Sequence, residues 1–290
     1  MTTLEEQNIN LRQERDFGEL VNDSIVFLKQ NWRSLLKACL VITGFFIMAA
    51  MVSQIFNQLR MFTEGDDTIG SALNNNTIEG KINQICSSLA YLMVSLTTLC
   101  YISLYLEKGN EQPTVEEVWS YFKYFFWRFI GSNIVYGILT VIGLMLLVIP
   151  GIYLLPVISI SLTALVIENT GVMDALDRGY KLVKGNWWAT TGPIFICFLV
   201  VFALMMITFI PVGIISGSGM LLANTQLTLL TAIFTAVMES LFNLAMVLPQ
   251  IVIALCYFNL IERKEGSSLM ERINAIGKDE AADIHPEESY

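Results

Sequence analysis

The chain of 290 residues is 54% hydrophobic and only 15% charged. Soluble domains are nearer ~25% charged, so this deficit, together with several uncharged runs of about 20 residues, predicts an all-α, polytopic integral membrane protein. The net charge is −9 and the Lys and Arg residues form no basic stripe, so nucleic acid is excluded as an expected partner. The five cysteines lie inside apolar runs without CxxC spacing, which is typical of core residues.

The hydropathy pattern divides the chain into an arm, a membrane domain and a tail. Residues 1–16 are expected to be a frayed polar arm, residues 17–262 a six-span domain and residues 263–290 a polar tail. The six transmembrane helices are predicted at about 36–55, 85–106, 130–148, 152–167, 188–210 and 241–260. Pro211 should close the fifth span and Pro249 should kink the sixth. The uncharged segment between them, 212–237, has three interpretations: a short or re-entrant helix, an interfacial segment, or an extension of span six.

Three amphipathic helices are expected to lie flat at one membrane face, each ahead of an odd-numbered span. The first covers 17–37 and the second begins after Pro113, where Thr114 and Glu117 form a capping box. The third covers 172–184, and Gly185 is its predicted stop. Its i,i+4 pairs, Asp174 with Arg178 and Asp177 with Lys181, have the acid nearer the N-terminus, as the helix dipole favours.

The distribution of basic residues predicts the orientation. With six spans, 15 of the 17 Lys and Arg residues fall on one side of the membrane, and only Arg60 and Lys81 fall on the other. The positive-inside rule therefore places both termini in the cytoplasm.

Motifs for catalysis are lacking in the sequence. His285 is the only histidine and lies in the tail, and the chain has no GxSxG, HExxH or Walker motif. We therefore expect no enzyme, no cofactor and no metal site. Glu239 is a weak functional candidate, because it is an acid near the predicted outer boundary of span six. Asn243 and Gln250 are expected to make interhelical hydrogen bonds.

The stretch between spans three and five carries the candidate structural and interfacial residues. Pro150 and Gly151 should form a tight hairpin, and an ion pair is expected between Glu168 and Arg178. On the helix 172–184, the side with Met173, Leu176, Tyr180 and Val183 should face acyl chains or span ends. Arg178, Lys181 and Lys184 should face anionic headgroups, Gly185 should end the helix, and Trp187 and Trp188 should fix the depth of span five.

This same stretch resembles a known family. The resemblance rests on four segments: Ile149-Pro150-Gly151-Ile152-Tyr153, Val166-Ile167-Glu168, Ala175-Leu176-Asp177-Arg178 and Leu182-Val183-Lys184-Gly185-Asn186-Trp187. They are similar to the glycerophosphoryl diester phosphodiesterase membrane-domain family and to related bacterial multi-span proteins, although Gly179 stands where Ser is usual. The resemblance implies this fold and a bacterial inner-membrane location. It does not imply phosphodiesterase activity, because no catalytic barrel fits in the chain.

These patterns favour a membrane scaffold or accessory protein without a catalytic site. Its expected partners are membrane lipids, with a protein partner or a second copy of the chain as further candidates. The alternative function is a transporter or lipid-translocating protein. The competing interpretation of helix 172–184 is a docking helix whose apolar side is reserved for a protein.

Overall fold

The computed structural model describes residues 9–63, 77–146, 148–221 and 225–266. This part of the chain is helical apart from short connections and contains no strand. A polar loop is predicted between the first two spans, at 57–81. Its central part (64–76) and nearly all of the predicted tail (267–290) lie outside the described residues. The helices are α1 (Phe17–Thr63), α2 (Ile78–Glu107), α3 (Val115–Leu146), α4 (Val148–Ile167), α5 (Val172–Val183), α6 (Trp187–Leu221), α7 (Thr225–Ala245) and α8 (Val247–Glu265).

Six helical stretches among the described residues are long and apolar enough to cross a membrane. They are Phe17–Arg60, Ile78–Glu107, Val115–Leu146, Ile149–Ile167, Trp187–Ile207 and Leu229–Glu265. The predicted all-α, six-span fold is therefore confirmed. The spans on α2 and α8 are the most buried, and the other helices surround them, so the outer helices keep many large apolar side chains exposed.

The first two amphipathic segments are not separate helices. Residues 17–37 are the beginning of the continuous α1, and the second segment is the beginning of the continuous α3. The predicted capping box of α3 is present, with the Thr114 N–H donating to Glu117 Oε2 at 2.7 Å. The expectation of three separate flat helices is wrong in this respect, because no helix-breaking residue interrupts the backbone where either segment meets its span.

The third amphipathic segment is a helix of its own, α5. Gly171 at its N-cap has an extended backbone, and Gly185, just after its end, has a φ of 87°. A left-handed residue after the last turn ends a helix, and glycine adopts that conformation without strain. The predicted stop at Gly185 is confirmed.

The boundary between spans three and four lies earlier than predicted. Pro150 and Gly151 belong to the first turn of α4, and α3 ends at Leu146. Pro150 fits there because the first turn of a helix has no intrahelical partner for its backbone N–H groups. A Cβ on Gly151 would overlap the Leu144 side chain and lie 2.9 Å from Leu144 Cα, so this glycine allows close packing of α4 on α3.

Two prolines lie near the other predicted span boundaries, and a break in the helix occurs close to Pro249, where a kink was expected. α6 continues through Pro211 to Leu221, so Pro211 does not end the helix, although the apolar span within it, Trp187–Ile207, lies before Pro211. α7 leads into α8 with one break at Met246, three residues before Pro249. The break fits this position because a proline ring clashes with the carbonyl four residues earlier in an unbroken helix. The segment 212–237 is divided between two helices. Residues 212–221 continue α6, and residues 225–237 belong to α7, which matches the interpretation as an extension of span six.

Candidate functional site at the junction of α5 and α8

The candidate site is the end of the bundle where α5 lies against α4 and α8. Gly179 makes the closest approach. A Cβ at this position would overlap Ser161 Oγ and lie 2.8 Å from Val157 O and 2.9 Å from Ser161 N. Two of these atoms belong to the backbone of α4, so a glycine is required for α5 to pack at this distance.

Arg178 connects α5 to two other helices. Its Nε donates to Glu168 Oε1 at 2.8 Å, and its terminal nitrogens donate to both carboxylate oxygens of Glu265. Tyr257 also donates its hydroxyl to Glu168 Oε1 at 2.6 Å. The structure therefore contains the predicted Glu168–Arg178 ion pair and adds Glu265, which raises the pKa of Arg178 above its usual value. Arg178 is thus engaged by carboxylates, which leaves no support for the expectation that it faces headgroups.

The predicted i,i+4 pairs have different outcomes. Asp177 and Lys181 form an ion pair at 2.5 Å on the exposed side of α5. Asp174 makes no ion pair with Arg178 in the part of the chain that is described, since Arg178 turns to Glu168 and Glu265. Sequence spacing alone does not reveal carboxylates supplied by other helices.

Lys264 holds the end of α5. Its Nζ donates to the backbone carbonyl of Lys181 and, at 2.8 Å, to that of Lys184. The last carbonyls of a helix have no intrahelical donor and carry the negative end of its dipole, so a lysine placed there stabilises the terminus. Together with Arg178 and Gly179, this contact fixes α5 at both its middle and its end.

An aromatic cluster follows at the start of α6. Trp187 stacks on Tyr153 with ring centroids 6.1 Å apart, and its Nε1 donates to Tyr153 O at 3.3 Å. Tyr180 packs edge-on against Tyr153, and the Lys184 ammonium lies 5.9 Å from the Tyr180 ring. Trp188 is 81% exposed. Of the two predicted depth markers, Trp187 is partly buried and packs against the protein core, whereas Trp188 points outward.

The N-terminal arm docks on the same end of α8, which sequence analysis missed. Arg15 is only 2% exposed, and its Nε forms an ion pair with Asp23 at 2.8 Å. Its backbone N–H donates to Asn259 Oδ1 at 2.9 Å, and Arg263 donates to its carbonyl at 3.0 Å. Leu11 is also buried. The expectation of a frayed arm is therefore wrong for residues 9–16, whereas residues 1–8 lie outside the described part.

A second polar cluster lies between α1, α2 and α7, at the other end of the bundle. Ser87 donates to Glu239 Oε1 at 2.7 Å, so the weak candidate Glu239 is bound to a neighbouring helix. The cluster also contains the pairs Gln54–Asn83, Gln58–Thr235 and Arg60–Glu79. The side chains from α1 and α2 lie beyond or close to the ends of the predicted spans, which is why sequence analysis assigned several of them to a loop.

No protein-family model matches the chain, and no significant match was found among curated proteins or solved structures. The family resemblance therefore stays a prediction. The fold and its six apolar helices define the class: this is an all-α, multi-pass membrane protein. Its candidate site can hold an amphipathic helix in a fixed position by ion pairs, a lysine cap and a glycine contact. No group of three His, Cys, Asp or Glu side chains suited to a metal ion occurs in the described ranges.

Proposed function

We propose that the protein is a non-enzymatic membrane scaffold or accessory protein that holds α5 in the lipid–water interface, where it engages anionic lipid. Its location would be the bacterial cytoplasmic membrane, with both termini in the cytoplasm. The observation that supports this function best is the division of α5 into three faces.

The first face of α5 packs on the protein. Ala175, Gly179, Leu182 and Val183 are buried. The second face is apolar but uncovered, with Met173 66% and Tyr180 44% exposed, and Leu176 half-buried beside them. Of the apolar side predicted from the sequence, Val183 therefore faces the protein, and Met173 and Tyr180 face outward.

The third face of α5 is charged and exposed. Asp174, Asp177, Lys181 and Lys184 project there. With about 3.6 residues per turn, Met173 and Tyr180 lie between the buried face and this charged face. A helix with one side on protein, one apolar flank and one charged flank fits a position parallel to the membrane at the headgroup level.

The charge distribution supports the proposed orientation. The network of Arg15, Arg178, Arg263 and Lys264 lies at the α5 end of the bundle, whereas Arg60 lies in the cluster at the other end. Basic residues are enriched on the cytoplasmic side of membrane proteins. We therefore assign the α5 end to the cytoplasm.

Fluorescence quenching in the full chain tests this function. In a cysteine-free background, single cysteines replace Met173, Tyr180 or Asp177 and carry an environment-sensitive fluorophore, and the protein is reconstituted into bilayers containing brominated lipid. We expect bromolipid to quench the probes at Met173 and Tyr180, and aqueous iodide to quench the matched probe at Asp177. If iodide quenches all three equally, α5 does not lie in the lipid interface, and a docking helix for a protein partner becomes the better interpretation.

A transporter or lipid-translocating protein is the second candidate, and the cluster around Glu239 favours it. This cluster brings a carboxylate, amides and hydroxyls from α1, α2 and α7 together between helices, and such polar groups in membrane proteins often mark substrate or ion paths. Replacement of Glu239 by Gln tests this candidate, as described in the Discussion.

A further inference from the structure

Arg128 on α3 lies beside the loop that leads into α5. It makes no ion pair with a carboxylate in the described part of the chain, whereas Arg178 is held by two. One of its terminal nitrogens donates to Asn169 Oδ1 at 2.6 Å. A guanidinium has five N–H donors, so several remain for an anion.

The surroundings of Arg128 are aromatic and open. Its guanidinium carbon lies 6.0 Å from the Tyr124 ring and 5.8 Å from the Phe125 ring. Tyr124 is 63% exposed and Trp127 78% exposed. The Asn169 amide can donate one N–H to the Tyr124 hydroxyl at 3.4 Å, which leaves its second N–H and the hydroxyl proton as donors to a ligand beside Arg128. Exposed Tyr and Trp next to a cation are typical of the headgroup level of a bilayer.

An apolar surface continues from Arg128 along α3. Val135 and Ile142 follow at intervals of seven residues, which places them on the same face of the helix, and Ile138 lies beside them. All three side chains are exposed. The next Lys or Arg in the sequence after Arg128 is Arg178, so no further cation lies along this stripe between Arg128 and the end of α4.

We propose that Arg128 binds the phosphate of a membrane phospholipid, with the Tyr124 hydroxyl and the Asn169 amide as additional donors. The acyl chains of that lipid lie along Val135, Ile138 and Ile142. This proposal rests on the lipid-engaging function proposed above and names the chemical group that is recognised. The cation and the apolar stripe beside it select a phospholipid rather than free phosphate, because both parts of such a molecule find a matching surface.

Native mass spectrometry of the delipidated full chain tests the site. The probes are phosphatidylglycerol, phosphatidylcholine, diacylglycerol and inorganic phosphate. Arg128→Gln should weaken the binding of both phospholipids about tenfold. The matched control Lys123→Gln removes an exposed cation from the same helix and should change binding less than about twofold. Diacylglycerol should bind equally weakly to all variants, and millimolar inorganic phosphate should not displace phosphatidylglycerol.

Three results would overturn the site. They are equal losses in Arg128→Gln and Lys123→Gln, binding of diacylglycerol to the unaltered protein as tight as that of phosphatidylglycerol, or displacement of phosphatidylglycerol by inorganic phosphate. If Arg128→Gln does not fold, phospholipid binding is measured with Arg128→Lys in its place. A lysine keeps the charge but loses the planar fork, so phospholipid binding should weaken severalfold, and unchanged binding would refute the site. The quenching of probes at Met173 and Tyr180 does not involve Arg128, so the two proposals can fail separately.

Discussion

Gly179→Ala should loosen the contact between α5 and α4 and lower the thermal stability of the whole protein. The added methyl group would meet Ser161 Oγ and two backbone atoms, Val157 O and Ser161 N, at 2.8 and 2.9 Å. Overpacking of this kind costs about 1–3 kcal/mol. Alanine also stabilises a helix by about 1 kcal/mol relative to glycine. The cost of overpacking must therefore be measured against a control variant that has the same gain in helix propensity.

Gly137→Ala supplies that comparison. Gly137 lies on α3, and a Cβ there would meet nothing within 4 Å. This variant gains helix propensity without a clash, so the difference between the two variants isolates the overpacking at Gly179. Ser161→Ala combined with Gly179→Ala should restore only part of the loss, because the backbone atoms of α4 remain in place.

A thiol-reactive dye can follow the unfolding of these variants in detergent. Cys39, Cys100, Cys197 and Cys256 are buried, so they react when the bundle opens. We expect the midpoint of Gly179→Ala to fall below that of Gly137→Ala by a few degrees, the order of magnitude for ~1–3 kcal/mol in a chain of this size. If Gly179→Ala is as stable as Gly137→Ala or more stable, the close packing of α5 on α4 is refuted.

Three further predictions concern the charged groups and the orientation. Arg178→Lys should lower the same midpoint, because one ammonium cannot reproduce the fork that joins two carboxylates; an unchanged midpoint would mean that the network contributes nothing to stability. Single cysteines at Thr77 and Thr170 should react with an impermeant reagent in intact cells and only after lysis, respectively, and the reverse pattern would contradict the cytoplasmic assignment of α5. Glu239→Gln keeps an acceptor for Ser87 and should leave folding and growth unchanged, whereas loss of growth with normal folding would favour the transporter.

Local signals in the sequence predicted the local structure well. The end of α5 depends on Gly185 and the start of α3 depends on the capping box of Thr114 and Glu117, and both involve neighbours within a few residues. The sequence places the hairpin between α3 and α4 a few residues too late, because a proline is compatible both with a connecting loop and with the first turn of a helix. Only the contact of Gly151 with Leu144 shows which of these occurs.

The candidate site was only partly predictable, because most of its contacts join distant segments. The Glu168–Arg178 pair spans 10 residues and was expected, but Glu265 lies 87 residues from Arg178. The sequence resemblance leaves the Gly179 position unexplained, since Ser is usual there. The structure supplies a reason for this chain, because Ser161 on α4 already occupies the space a side chain at 179 would need.

The docking of the N-terminal arm on α8 has a consequence for how the chain matures. Arg15 and Asn259 are 244 residues apart, so the arm leaves the ribosome long before its binding surface exists. At about 5–20 residues per second, translation of that interval takes roughly 10–50 s. During this time the backbone N–H and carbonyl of Arg15 lack their partners Asn259 and Arg263 on α8. Residues 9–16 thus close over α8 only once the six described apolar helices have been made.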